Sequence, residues 1–385
     1  MEKVLIYLPY SEFIDSYEHK ALGGIPIGFT QAGYDTSLIV GIMKSDRLRK
    51  YDIKIFETGN LDDKYIIEDG KAKNNKIIPR IKNFLDFSEY KTVYGILIKQ
   101  KPDILLAYNN STLTPLILLR YKLFCRFHKI KSRMILKLDN DGSDIEGISG
   151  IKRLSIGLYY SMIGHVFDDV ITETSCGLNV FRQLKGISQK VRKVPNTVFS
   201  DFLCNEKNRY DKIIISVSRI KPVKGIERLI ESFKLLANKY PDWNLKIIGK
   251  VEDNEYYSHL VEIVNSYGLN SRILFTGEKS REELIDIYNS ASIYCLFSEH
   301  ESFAISRLEA IAMGLYVITT DAGCAADLAE YGIHIMDNNT PECGSEYIEK
   351  GIKALDSGDF NKDKIKLPSY REIAMMIVAE SGNPE

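Results

Sequence analysis

Tryptophan, proline, paired cysteine and long apolar runs are all scarce in this 385-residue chain. One Trp and 11 Pro occur, and no low-complexity tract interrupts a sequence that is 44% hydrophobic. That composition excludes collagen-like and disordered-tail proteins. The six cysteines (Cys125, Cys176, Cys204, Cys295, Cys324 and Cys343) stand far apart and form no C-x-x-C pair. They spell neither a disulfide framework nor a zinc site, and free thiols in a reducing compartment are expected. No apolar run approaches the ~20 residues that a membrane-spanning helix needs. The opening residues, MEKVLIYLPYSEFID, place acids straight after one strand-length apolar run, unlike a signal peptide. A cytoplasmic protein is therefore expected. The six histidines form no ligand cluster.

At ~100–200 residues per domain, two domains are expected. Net charge is -1, yet residues 1–200 carry +8 and the remainder -9. Halves of opposite sign suit domains with different partners. Between Asp103 and Asp139 there is no acidic residue, while Arg120, Lys122, Arg126, Lys129, Lys131, Arg133 and Lys137 all fall there.

Short β-branched runs alternate with longer helical patterns along nearly the whole chain. Strands are read near Val4–Leu8, Thr36–Val40, Ile104–Tyr108, Met134–Leu138 and Val170–Glu173. A second set lies near Ile213–Ser218, Leu245–Gly249, Ile273–Gly277, Ile293–Phe297 and Tyr316–Thr319. Continuous apolar strands suit parallel sheets buried on both faces. The repeated alternation predicts two doubly wound α/β domains, residues 1–200 and 201–368, with 369–385 as a helix that could cross back. Asn205–Lys212 is the expected linker.

In such sheets ligands bind at the carboxyl ends of strands, beside helix N-termini. Neither G-x-G-x-x-G after a first strand nor a P-loop occurs. Instead, Ser218-Arg219-Ile220-Lys221-Pro222-Val223-Lys224-Gly225 follows one strand and opens an amphipathic helix. Two cations beside helix N–H groups suit a diphosphate, although a solvated basic loop reads equally well. The run Glu299-His300-Glu301-Ser302-Phe303-Ala304-Ile305-Ser306-Arg307-Leu308-Glu309 follows another strand, with a helix expected from about Ser302 to Met313. Glu309, among apolar neighbours, must be paired or hydrogen-bonded. Sugar hydroxyls would serve, and so would a structural ion pair.

These segments resemble the large glycosyltransferase group 1, or family 4, of retaining GT-B enzymes. Glu301-x7-Glu309 followed by Ala310-x-Ala312-x-Gly314 matches its E-x7-E signature, and Arg219 with Lys224-Gly225 matches its R-x4-K-G segment. Leu245-x-Ile247-x-Gly249, Phe275-x-Gly277 and Val194-Pro195-Asn196 fit further family positions. The likeness is strong over about Val170–Leu328 and weaker before it. It implies two facing Rossmann-like domains with a cleft between them, the second binding a nucleotide-diphosphate sugar. Arg219 and Lys224 would hold the diphosphate, Glu301 the donor sugar and Glu309 the ribose. Ser302, Phe303 and Ala304 would offer backbone N–H groups, with Gly225 and Gly249 lining the donor site. No cofactor and no metal is expected. The implied activity is a metal-independent, retaining transfer to a hydroxyl of a glycan or lipid-linked saccharide acceptor. A sugar-phosphate synthase, a phosphorylase or a non-catalytic nucleotide-sugar binder are the alternatives.

Departures from the family pattern are visible. Ser302 and Ala304 stand where glycines are frequent, Cys324 follows Gly323 where a second glycine is usual, and Lys137-Leu138-Asp139 lacks the usual His. Asp139 is a candidate for donor or acceptor contact, with Lys137 as its alternative or an acidic turn as the plain reading. Asp139-x-Asp141 imitates a metal-binding D-x-D, but that belongs to the other large transferase fold. Gly23 and Gly24 are candidates for phosphate contact or for close helix packing. His300 is a candidate donor contact or a solvated loop residue. The basic stretch Thr112–Lys137 reads as a helix with Leu113, Leu116, Ile117, Leu123, Phe124 and Phe127 on one apolar side. It suits docking to an anionic membrane surface, or an ordinary helix with a solvated cationic face. No aromatic platform accompanies the charge, so nucleic acid is not an expected partner.

Overall fold

The computed structural model describes residues 1–9, 12–59, 87–108, 114–139, 142, 145, 149–202, 211–360 and 367–379. The chain divides into two compact units, Met1–Thr197 with Pro368–Glu385 and Val198–Leu367. Most of the expected linker, and Thr112 and Leu113, lie outside the described residues.

The first unit is built on a parallel sheet of β1 (Lys3–Tyr7), β3 (Asp35–Val40), β5 (Lys54–Glu57), β6 (Ile104–Tyr108), β7 (Arg133–Leu138), β8 (Asp169–Thr172) and β9 (Val191–Lys193). Their order is β5-β3-β1-β6-β7-β8-β9, and the two-residue strands β2 (Glu12–Phe13) and β4 (Ile42–Met43) pair separately. Runs such as ILLAY in β6 are buried throughout, as a sheet covered on both faces requires. Its helices are α1 (Asp15–Glu18), α2 (Ala21–Gln31), α3 (Phe87–Gln100), α4 (Thr114–Phe127), α5 (Gly150–Val166), α6 (Ser175–Arg182) and, from the end of the chain, Tyr370–Val378.

The second unit repeats the plan. Strands β10 (Ile213–Val217), β11 (Asn244–Ile248), β12 (Ile273–Gly277), β13 (Ile293–Leu296), β14 (Tyr316–Thr319) and β15 (His334–Ile335) run parallel in the order β12-β11-β10-β13-β14-β15. Helices α7 (Ile226–Ala237), α8 (Asn254–Ser266), α9 (Arg281–Ser290), α10 (Ile305–Ala312) and α11 (Pro341–Ser357) accompany them; the Tyr370–Val378 helix is α12. In α7, Ile226, Leu229, Ile230, Phe233 and Leu236 face the core at helical spacing. Arg272 closes that helix by donating to the carbonyls of Ala237 and Tyr240 at 2.7 and 2.8 Å.

Three expectations are corrected. The basic stretch is not one helix: α4 stops at Phe127, Lys129 adopts φ 55°, and β7 begins at Arg133. Its apolar residues do not share one side either, since Ile117 is in the core whereas Leu116, Leu123 and Phe127 are exposed. Among the cysteines, Cys125, Cys295 and Cys343 are buried free thiols, but Cys176 and Cys324 are disulfide-bonded.

Candidate functional site

In the second sheet the strand order reverses between β10 and β13, and crevices outside the carboxyl ends of strands at such a point are where open α/β sheets bind ligands. The two segments singled out in the sequence follow those two strands. After β10 the chain makes a 3-10 turn at Pro222–Lys224, and Gly225 takes φ 64° before α7 begins. A Cβ at Gly225 would collide with the Phe297 carbonyl, so this position needs glycine for both conformation and contact. The two loops are joined directly: Glu299 N–H donates to the Val223 carbonyl at 2.9 Å, and Arg228 pairs with Glu299 at 2.9 Å. Gly249 lets β11's exit pass close to the Ser218 carbonyl, which a Cβ there would strike.

Lys224 and Glu301 form an ion pair at 2.6 Å, each side chain 10% exposed. Ser298 donates to the same Glu301 oxygen at 2.7 Å. A cation and a carboxylate so little hydrated hold each other in place. Arg219 is more open and pairs with Glu252 at 2.6 Å, with Lys221 on the other oxygen of that carboxylate at 3.3 Å. Burial pulls the Glu252 carboxyl upward, but the two cations prevail and hold it below its usual range.

The expected helix from Ser302 starts later, at Ile305, because Ala304 takes a left-handed conformation with φ 62° and ψ 76°. Ser302, Phe303 and Ala304 therefore form the turn ahead of α10. Their backbone N–H groups make no hydrogen bond among the described residues. Glu309 is half-buried on α10 and accepts from the Tyr288 hydroxyl at 3.1 Å. Burial, and then Glu309 itself, push the Tyr288 hydroxyl well above its ordinary value, so it stays a donor. His300 is exposed beside this constellation.

The sequence reading missed Arg307. Its side chain is fully buried; one Nη2 N–H donates to the Ala322 carbonyl at 2.7 Å, while Nε and Nη1 have no hydrogen-bond partner among the described residues. Burial pulls this guanidinium below its ordinary value, opposed by Tyr294, Glu301 and Asp321. It ties down the 321–324 loop, whose Gly323 lies so close that a Cβ would sit 2.8 Å from that of Glu301. An arginine in an otherwise apolar helical repeat was the signal available.

The first unit holds the candidates Gly23, Gly24 and Asp139. Gly23 and Gly24 lie inside α2, where a Cβ would strike the Glu18 backbone and the Tyr370 ring respectively. The packing alternative accounts for both. Lys137 is fully buried, pairs with Asp139 and Glu173, and sits 5.2 Å from the Tyr108 ring centre. Burial alone would lower its pKa; the two carboxylates outweigh it and raise it. Asn196 donates to Glu173 at 3.0 Å, which gives the Val194-Pro195-Asn196 turn a structural task. Asp139 thus stands half-exposed over a buried charge cluster at the carboxyl edge of its sheet.

With this geometry in place, comparison with known proteins is informative. Residues 203–357 match the family of glycosyl transferases group 1. An uncharacterized glycosyltransferase of Haemophilus influenzae is 33% identical over 146 residues, which is 38% of this chain and 39% of that protein. Mannosylfructose-phosphate synthase of Agrobacterium fabrum is 31% identical over 130 residues, 32% of this chain and 29% of that enzyme. The matched stretch thus spans about two fifths or less of these relatives. Among solved structures, Anabaena HepE in complex with UDP and glucose aligns over 98% of this chain and 95% of its own with a TM-score of 0.66. WaaG, a glycosyltransferase involved in lipopolysaccharide biosynthesis, aligns over 97% and 99% with a TM-score of 0.63. At 14% and 13% identity these two share the fold. Residues 203–357 thus resemble the group 1 glycosyl transferases, and the two α/β units carry the GT-B fold of the solved glycosyltransferases.

Proposed function

We propose that this chain is a retaining, metal-independent glycosyltransferase that moves a sugar from a nucleotide-diphosphate sugar to a hydroxyl of a glycan or lipid-linked acceptor, on the cytoplasmic side. The observation that carries this reading is the Lys224–Glu301 pair at the switch point, with Arg219 on the same loop and, at residues 302–304, three N–H groups that have no hydrogen-bond partner among the described residues. HepE, of the same fold, was solved with UDP-glucose, which supports a donor of this class.

The chemistry follows from charge. As the anomeric C–O bond breaks, negative charge grows on the departing diphosphate, and Lys224 and Arg219 stabilise it. Glu301 accepts from a donor-sugar hydroxyl and Glu309 from the ribose, fixing the donor before reaction. The acceptor oxygen attacks from the face the diphosphate leaves, and its proton passes to a leaving phosphate oxygen. No side-chain nucleophile is needed. Similarity to a sugar-phosphate synthase favours one second reading, in which the acceptor is a sugar phosphate.

The test is a thermal-shift panel of nucleotide-diphosphate sugars with chelator present, on wild type and Glu309→Ala, followed by turnover with the donor that shifts. One donor should stabilise the wild type and stabilise Glu309→Ala less. Lys224→Ala should then lower kcat by about a hundredfold, as removal of a charge-stabilising group does. Unchanged turnover in both Lys224→Ala and Arg219→Ala would defeat the assignment. Product analysis with sugar phosphates separates the second reading.

A further inference from the structure

The diphosphate and ribose candidates lie in the second unit, and the first unit has a cavity of its own. Its volume is about 590 Å³, within the range of small-molecule pockets, and its walls include His19, Lys44, Ser45, Arg47, Lys50 and Tyr51. These residues come from two exits on the carboxyl edge of the first sheet, where open α/β sheets bind ligands. After β1 ends at Tyr7, the chain runs through β2 and α1 to His19; after β3 ends at Val40, it runs through β4 to Tyr51. Strands β1 and β3 are neighbours. Their exits are then tied together, because β2 pairs with β4 and Lys44 N–H donates to the Phe13 carbonyl at 3.0 Å. Phe13 on one exit and Leu48 on the other are wholly buried. The cavity is therefore built on anchored backbone.

Hydrogen-bond donors dominate its walls. The Arg47 Nη1 lies 3.0 Å from His19 Nδ1. An arginine only donates, so Nδ1 accepts and the ring hydrogen sits on Nε2. Glu18 is 5% exposed, and its Oε1 accepts from the Arg47 backbone N–H at 2.8 Å. Lys44 is held by Glu12 at 2.8 Å, and the Asp46 side chain stands in solvent, 94% exposed. Lys50 is exposed and forms no ion pair among the described residues. Ser45 is 2% exposed, and its hydroxyl has no hydrogen-bond partner among the described residues. A buried hydroxyl without a partner is costly and rare, so a ligand that bonds it is the natural explanation.

A hydroxyl that needs a partner and a lysine without a counter-ion, beside an arginine, suit an oxyanion. A phosphate monoester offers three terminal oxygens, enough to accept from all three side chains at once. No aliphatic side chain lines the cavity among the described residues, which favours a polar carrier of that phosphate over a hydrocarbon one. The half-buried Tyr51 adds a ring with a polar tip, which suits a sugar.

We propose that this cavity binds the phosphate monoester of a sugar, with the phosphate on Ser45, Arg47 and Lys50 and the sugar ring toward Tyr51. That the sugar phosphate is the acceptor rests on the transferase reading; that it binds here does not.

The test is titration calorimetry of the full chain, with chelator present, against a panel of hexose monophosphates, inorganic phosphate, hexyl phosphate, glucose and glucuronate. At least one hexose monophosphate should bind, more tightly than hexyl phosphate or inorganic phosphate, and glucose should not. Lys50→Gln should weaken that binding about tenfold and Ser45→Ala about fivefold, since bonds between charged groups are the stronger. Lys50 is exposed, so its variant should unfold at the wild-type midpoint. Ser45→Ala removes a buried hydroxyl that has no partner, so its ligand-free midpoint should not fall; a fall would give that hydroxyl a structural task and overturn its role here. Lys224→Ala separates this cavity from the donor loop, and hexose monophosphate binding should survive it. Four further results would overturn the proposal: no binding by any phosphate in the panel, binding undiminished in both Lys50→Gln and Ser45→Ala, binding lost in Lys224→Ala, or hexyl phosphate or glucuronate binding as tightly as the sugar phosphates. Thermal shift with nucleotide-diphosphate sugars is read on the same samples. A donor shift without phosphate binding keeps the transferase reading and removes this site; phosphate binding without a donor shift does the reverse.

Discussion

Ala304 shows how a single side chain marks the candidate site. It sits at φ 62° and ψ 76°, a left-handed conformation that costs an L-residue about 1–2 kcal/mol. Glycine would escape that strain but adds about 0.5–1 kcal/mol of backbone freedom in the unfolded chain. Ala304→Gly should therefore stabilise the protein modestly, by about 0.5–1 kcal/mol, read as a rise in the unfolding midpoint. The donor panel on the same variant has a separate meaning. If the alanine methyl narrows the approach to residues 302–304, the glycine form should accept donors the wild type rejects. A fall in stability would mean that the methyl packs usefully, which its half-buried position leaves as the competing effect. The left-handed turn itself was not legible, because the sequence puts alanine where the conformation asks for glycine. The charged residues were legible as candidates, but not their pairing: Lys224 and Glu301, singled out in separate segments, meet at 2.6 Å. Lys137 was not, because nothing in a list of residues says that a lysine in a β-strand faces inward onto Asp139 and Glu173.

At the scale of elements, the sequence spoke clearly wherever a run was apolar throughout. Strands β6 and β14 occupy the ranges expected of them, since burial on both faces leaves an unbroken signal. The short edge strands β9 and β15 were not read. Val191–Lys193 and His334–Ile335 are two or three residues long and half polar, because an edge needs only one neighbour. The second of these carries a pH-sensitive group. The His334 ring stacks on Tyr316, centres 3.9 Å apart and planes 9° from parallel. Burial, and then Lys350, hold its pKa below the ordinary value near 6.5. The unfolded chain therefore takes up this proton first as pH falls, and the stability contributed by neutral His334 is lost below that ordinary value. His334→Phe keeps a ring on Tyr316 and has no proton to gain. Its unfolding midpoint, measured against wild type from about pH 8 to about pH 5, should improve relative to wild type as the pH falls. A difference independent of pH would assign the edge strand's acid response to other groups.

At the scale of the molecule, the chain leaves the first unit after Thr197 and re-enters it at Pro368, so α12 completes a unit begun more than three hundred residues earlier. The sequence showed a terminal helix and a tyrosine, but only coordinates show what they close. The Tyr370 ring covers Gly24 of α2, and its hydroxyl donates to the Thr197 carbonyl at 3.0 Å. Arg133 and Arg192 donate to the final carbonyls of α12, Val378 at 2.5 Å and Met376 at 2.8 Å. A helix whose last turn is met by two cations is favoured by its own dipole. Ser369 and Glu372 close its first turn with a capping box. Removing the ring should therefore unlatch one unit without touching the other. Tyr370→Ala, which empties a site only 5% exposed, is expected to cost about 3 kcal/mol. Hydrogen exchange on the full chain should locate the loss: amides of α2 and α12 should exchange faster, while those of β10 to β14 keep their protection. Loss spread equally over both units would show that α12 stabilises the chain as a whole, and the division at Thr197 and Pro368 would then not be an energetic one.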